Sequence, residues 1–160
     1  MQFPGQVGVV LILASFLLAA ALPATAAPLA GLQYLVGPWK CTYRAGAARL
    51  AYDATFAYDL DGHTLREVAS WAGGGDEELV AYDAHPGAWK AVVFDDHGNT
   101  TVMRAPGSNP NHIAYRSFYP DATIAVTLDR VSATEYTLHG TVRSGGKTIT
   151  SVDTCLRDGR

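Results

Sequence analysis

The chain has 160 residues, with 12 Lys and Arg against 15 Asp and Glu and a formal net charge of −3. That length holds one domain and a targeting segment. The charge balance, with no basic stripe or block, excludes a nucleic-acid partner and argues against an anionic membrane surface.

Val7 to Leu22 is an apolar run without a single charge, followed by Pro23-Ala24-Thr25-Ala26-Ala27. Ala24-Thr25-Ala26 fits the small-x-small pattern read by signal peptidase. The run falls short of the roughly 20 apolar residues a spanning helix needs. Residues 1–26 therefore read as a signal peptide and 27–160 as the folded domain, although Met1 to Gln6 lacks the usual Lys or Arg. No later segment is apolar enough to span a bilayer, so no stable membrane span is expected after cleavage. The expected location is secreted or periplasmic. The two cysteines, Cys41 and Cys155, fit that compartment and are expected to pair. Two unpaired thiols are the alternative, and a redox Cys-x-x-Cys is absent.

Leu29 to Val36 is the one stretch of helical period, with Leu32, Leu35 and Val36 on one side. Strands follow near 38–45, 50–59, 63–72, 77–84, 88–95, 99–105, 111–119, 122–131, 134–143 and 147–156. Turn residues separate them, including Asp61-Gly62, Gly73-Gly74-Gly75, Pro86-Gly87, Pro106-Gly107, Pro120-Asp121 and Gly145-Gly146. Short strands punctuated in this way predict an all-β sandwich or barrel. Alternation gives each strand a dry and a wet face: Leu65, Ala69 and Trp71 oppose Thr64, Arg66 and Ser70, with Glu67 interrupting the apolar side. A Cys41–Cys155 bridge needs its Cα atoms within about 7 Å, which joins the first strand to the last. The predicted fold is thus a single antiparallel up-and-down β-barrel of about eight to ten strands, after a short helical turn.

Chemical motifs are sparse. His63, His85, His97, His112 and His139 show no metal-ligand spacing, so no metal site is assigned. Asp59-Leu60-Asp61-Gly62-His63 resembles the start of a calcium loop, but Thr64 and Ser70 stand where such a loop needs Gly and Glu. Asp95-Asp96-His97-Gly98 places carboxylates beside an imidazole and reads as a solvated turn. Neither a Gly-x-Ser-x-Gly elbow nor a phosphate-cradling loop occurs, so no catalytic residue and no cofactor is assigned. The aromatic content is the positive signal. Tyr43, Trp71 and Tyr115, with the strand-borne charges Arg66, Glu67, Arg104 and Arg116, are candidates to line a polar-tipped cavity. Barrels of this size are either filled or hollow, and the sequence leaves both open.

Gly37-x-Trp39 at the first strand resembles the lipocalin and calycin signature. That resemblance implies a Trp39 plug at one end of the barrel, with Arg157 packed over it. Leu35-Val36-Gly37-Pro38-Trp39, Leu60 to Glu67, Ala81-Tyr82-Asp83 and Trp89 to Gly98 resemble, more closely, a secreted calycin-like family of bacterial proteins, uncharacterised in role. The likeness covers most of 35–105 and departs at Val93, where a Trp is common. Nitrobindin-type haem barrels are similar at Gly-x-Trp, but their later glycines and axial histidine are missing; Ser151 stands at the histidine's place. What the resemblance implies is an exported barrel binding a small, partly apolar ligand without catalysis. Two alternatives stand beside it: a packed interaction module acting through surface loops, and an enzyme using Glu67, Arg66 or His112 at the barrel mouth. Oligomeric state is left open.

Overall fold

The computed structural model describes residues 27–120 and 123–159. The expected signal peptide at 1–26 and Asp121 of the Pro120-Asp121 turn lie outside the described residues.

A short helix, α1 (Ala27–Ala30), runs into a 3-10 turn, Gly31–Leu35. The strands are β1 (Gly37–Ala45), β2 (Ala48–Asp59), β3 (Thr64–Trp71), β4 (Gly74–Asp83) and β5 (Ala88–Asp95), then β6 (Thr100–Pro106), β7 (His112–Tyr119), β8 (Ile124–Arg130), β9 (Glu135–Ser144) and β10 (Lys147–Arg157). Each pairs antiparallel with its sequence neighbours, and β1 pairs with β10 to close a ten-strand barrel. Closure leaves neither edge of the sheet unpaired. Cys41 and Cys155 are direct partners in the β1–β10 register and form a disulfide, with Cα atoms 4.1 Å apart.

Strand β4 begins three residues earlier than the sequence predicts, at Gly74 rather than 77. Asp76, Glu77 and Glu78 are poor strand formers by composition. Pairing with β3, where Glu67 meets Glu78 and Ala69 meets Asp76, carries them into the sheet nonetheless. This extension shapes the barrel interior.

One end of the barrel is closed by the N-terminal segment. Leu29, Leu32 and Leu35 are buried against the core. The Tyr58 hydroxyl donates to the Leu29 carbonyl at 3.1 Å, and the Tyr34 hydroxyl to that of Pro110, also at 3.1 Å. A Cβ at Gly31 would sit 2.6 Å from the Pro110 ring, so only glycine allows this approach.

Trp39 lies at the same end. Its indole Nε1 donates to the Leu35 carbonyl at 2.6 Å, and its ring meets Tyr136 edge-on at 4.8 Å. The Arg157 guanidinium stacks over Trp39 at 4.3 Å and donates to the carbonyls of Val36, at 2.6 Å, and of Tyr34. Gly37 has φ +115°, and a Cβ there would lie 2.8 Å from the Arg157 Nη1. The Gly-x-Trp glycine thus serves two local needs, a left-handed backbone and room for the arginine.

Candidate functional site

Strand periodicity decides what faces the interior. In β3, Leu65, Glu67 and Ala69 are buried while Arg66 and Val68 are exposed. In β7, Ile113, Tyr115 and Ser117 are buried while His112, Ala114 and Arg116 face solvent. The inward residues do not fill the barrel. They enclose a cavity of about 380 Å³, which lies in the usual range for a small-molecule pocket. A solidly packed interior is therefore not what this chain builds.

The cavity has three zones along the barrel axis. Its floor, toward the closed end, is apolar: Leu32, Leu35, Phe56, Met103, Ile113 and Leu128. By strand register the middle carries Tyr52, Glu67, Glu78 and Tyr115 together with Val93 and Val126, the cross-strand partners of Glu78 and Tyr115; the open end carries Tyr43, Trp71, Asp76, Ser151 and Asp153 together with Leu50 and Leu138, the cross-strand partners of Tyr43 and Asp153. The lining thus contains four carboxylates, Glu67, Asp76, Glu78 and Asp153, and among the described residues no Lys, Arg or His.

Glu67 is buried, only 8% exposed, and forms no hydrogen bond or ion pair with the described residues. Its cross-strand partner is Glu78, so two carboxylates face one another across β3 and β4. Burial, then the charges of Glu78, Asp76 and Asp153, raises the Glu67 carboxyl well above the ordinary range. Burial and the neighbouring Asp76 push Glu78 up to about 7. Asp76 is raised to about 6 by burial, with Asp95 and Asp96 adding to it. Asp153 is also raised to about 6, mainly by burial; the Tyr52 hydroxyl, donating to its Oδ1 at 3.1 Å, opposes the shift, and Asp76 adds to it. Burial first, and Asp153 second, raises the Tyr52 phenol, so its hydroxyl remains a donor.

The sequence-derived candidates divide cleanly. Tyr43, Glu67, Trp71 and Tyr115 line the cavity. Arg66, Arg104 and Arg116 stand on the outer wall. Arg66 pairs there with Glu77 at 2.6 Å, and Arg104 and Arg116 are cross-strand neighbours between β6 and β7. The cause is the two-residue period: Arg66 adjoins Glu67, Arg104 lies between buried Met103 and Ala105, and Arg116 lies between buried Tyr115 and Ser117. Adjacent strand residues cannot both face the lumen. His112 is also outside, with its Nδ1 2.6 Å from Asp129, so Arg66, Glu67 and His112 do not converge.

Sequence reasoning missed Tyr52, Asp76, Glu78 and Asp153. The signal was available in the hairpin register. A tight β3–β4 turn sets Asp76 and Glu78 opposite Ala69 and Glu67, and the cysteine pairing sets Asp153 opposite Tyr43.

Asp95, Asp96 and His97 form the one three-donor group among the described residues, with ligand atoms within 4.8 Å of one another. The β5–β6 turn brings them together, although consecutive strand residues would diverge. Asp95 already accepts from the His97 and Asn99 amides and the Asn99 side chain, which is the bonding of a self-capped turn.

No protein-family model and no curated protein sequence matches the chain. Among solved structures it is similar to the S-type phycobiliprotein lyase CPES from Guillardia theta, at 12% identity and a TM-score of 0.53, covering 81% of this chain and 91% of that one. A likeness at that identity is a likeness of fold, a closed antiparallel barrel of comparable extent.

Proposed function

We infer that the chain is an exported calycin-like barrel that binds a small, partly apolar ligand in its lumen and does no chemistry on it. The cavity of about 380 Å³, with an apolar floor and an upper wall where acids and aromatic rings stand among aliphatic side chains, carries this reading. A small barrel that needed only stability would fill this space, because every unfilled methyl-sized void costs about 1 kcal/mol. The Trp39 plug under Arg157 and the lyase-like barrel support the calycin architecture. The lyase's name carries no activity to this chain at 12% identity. The Cys41–Cys155 bridge supports an oxidising compartment, and with it the reading of residues 1–26 as a signal peptide.

The test is titration of the purified protein with neutral phenylnaphthylamine, followed by its fluorescence. Saturable one-to-one binding is expected, and Ala69→Phe, which places a ring in the lumen, should abolish it while the far-UV circular dichroism is unchanged. Absence of saturable binding to the folded protein refutes the reading.

A further inference from the structure

We propose that the lumen selects an amphiphilic organic cation, an amine or quaternary ammonium group carried on an apolar or aromatic body. The proposal rests on the reading of the lumen as a ligand site and names the chemistry of what enters it.

The first observation is a buried acid with no basic partner. Glu67 is 8% exposed, aimed into the cavity, and has no hydrogen-bond or ion-pair partner among the described residues. Among the described residues the fully buried, unpartnered polar atoms are the Thr64 hydroxyl and the Trp89 indole nitrogen, so the Glu67 carboxyl opens onto the cavity, where keeping it ionised in so little water is costly. Glu78 faces it across the β3–β4 ladder, and Asp76 and Asp153 stand nearer the open end. No cationic side chain from the described residues enters the lining to neutralise them. Without a cation these acids hold protons, and a cation entering the lumen takes the protons' place.

The second observation is the wall around these acids. Tyr43, Tyr52, Trp71, Tyr115 and Tyr136 present aromatic rings to the same space. Ring faces attract ammonium groups, most strongly where water is excluded. Phenolic hydroxyls also hydrate poorly solvated heads without adding positive charge.

The third observation separates an organic cation from a metal ion. Among the described residues, the only three donors gathered within 4.8 Å are Asp95, Asp96 and His97, outside the lumen. The lumen acids are instead spread over three strands, β3, β4 and β10, above an apolar floor. That floor suits a hydrocarbon or aromatic body and offers a hydrated metal nothing. The expected pose sets the apolar body on Ile113, Leu128 and Met103, with the ammonium at the Glu67–Glu78 level. A fatty acid in this pose would place its carboxylate against like charges.

The raised carboxyl groups support the geometry: burial is the largest cause at each, and neighbouring acids add to it with no lysine, arginine or histidine among the described lining residues to oppose them. Glu67 is faced by Asp76 and Glu78 from β4, Asp153 from β10, Tyr52 from β2 and Tyr136 from β9. Affinity for a cation should therefore fall as pH drops through the range where Asp76, Asp153 and Glu78 take up protons, about 7 down to about 6.

Three naphthyl probes of matched body distinguish the outcomes: naphthylethylamine, naphthylethanol and naphthylacetate, each titrated calorimetrically against the purified protein near neutral pH. The amine should bind at least about tenfold more tightly than the alcohol, and the acetate should show no saturable binding. Glu67→Gln and, separately, Glu78→Gln should each weaken the amine about tenfold while leaving the alcohol within about twofold. Two variants guard against one failing to fold. If amine and alcohol bind equally, or the acetate binds best, the cation proposal is overturned while the lumen remains a ligand site. If no probe binds the folded protein, including phenylnaphthylamine, both readings fall.

Discussion

Replacing Glu78 by Gln removes one acid from the lumen and leaves its shape unchanged. In the native protein this carboxyl is raised from an ordinary 4.5 to about 7, by burial and then by Asp76. Between those values the native state holds a proton that the unfolded chain has released, so stability falls as pH rises. The penalty is absent below about 4.5 and complete above about 7. At 1.36 kcal/mol per pH unit the span corresponds to about 3 kcal/mol; Glu78 retains contact with solvent in the lumen, which reduces this to about 1–2 kcal/mol. Gln mimics the protonated acid and does not titrate. Its neighbours Glu67, Asp76 and Tyr115 also feel the removal, since each senses the Glu78 charge or imposes its own. The assay is guanidinium unfolding of the ligand-free protein at about pH 4 and about pH 8, wild type beside variant. The two should agree within about 0.5 kcal/mol in acid, and the variant should be more stable by about 1–2 kcal/mol in alkali. A variant that is less stable in alkali, or whose difference from wild type does not change with pH, would refute the account of an acid held without a counter-charge.

Three further outcomes follow from the same geometry. Changing both Cys41 and Cys155 to Ser opens a loop with a sequence separation of 114, and chain entropy sets the loss at about 4–5 kcal/mol as an upper value; a denaturation midpoint unmoved by the change would contradict it. Arg157→Ala strips the carbonyls of Tyr34 and Val36 of their donor and Trp39 of its stacked cation, for a loss of about 2–4 kcal/mol in chemical unfolding. Arg157→Lys should recover only part, because an ammonium cannot fork to both carbonyls while stacking. Arg66→Ala, Arg104→Ala and Arg116→Ala should each leave phenylnaphthylamine affinity within about twofold of wild type, since all three point away from the lumen; a larger loss would mean that the outer wall takes part in binding.

The barrel was legible in the sequence because its reversals are written in residues with few other uses. Pairs such as Pro86-Gly87 and Gly145-Gly146 mark strand ends, and both glycines of the second pair adopt left-handed backbone. Closure was legible because a covalent bond leaves little choice: Cys41 must meet Cys155, so the first strand must meet the last. Trp39 and Arg157 were paired by the calycin resemblance alone; the structure makes them direct partners in the β1–β10 register.

The contents of the barrel were much less legible. Glu67 interrupted an apolar face, and a polar residue in that position looks like a flaw in the pattern when one strand is considered alone. Only its partner strand shows that the acid belongs inside, since Asp76, Glu78 and Val80 follow the same inward parity. Asp76-Glu77-Glu78 resembles a solvated charge run, yet its first and third members enter the lumen while Glu77 turns out to Arg66. Naming Arg66 with Glu67, and Tyr115 with Arg116, as joint lining residues conflicts with the two-residue period of a strand. Chemistry alone favoured the arginines; the pleat placed them outside.

A crystal structure of the purified protein with naphthylethylamine tests the central claim most directly. The account predicts the naphthyl ring on the floor formed by Ile113, Leu128 and Met103, with the ammonium nitrogen within about 3.2 Å of a Glu67 or Glu78 carboxylate oxygen. An empty lumen, or a bound amine whose nitrogen points away from both acids, would contradict it.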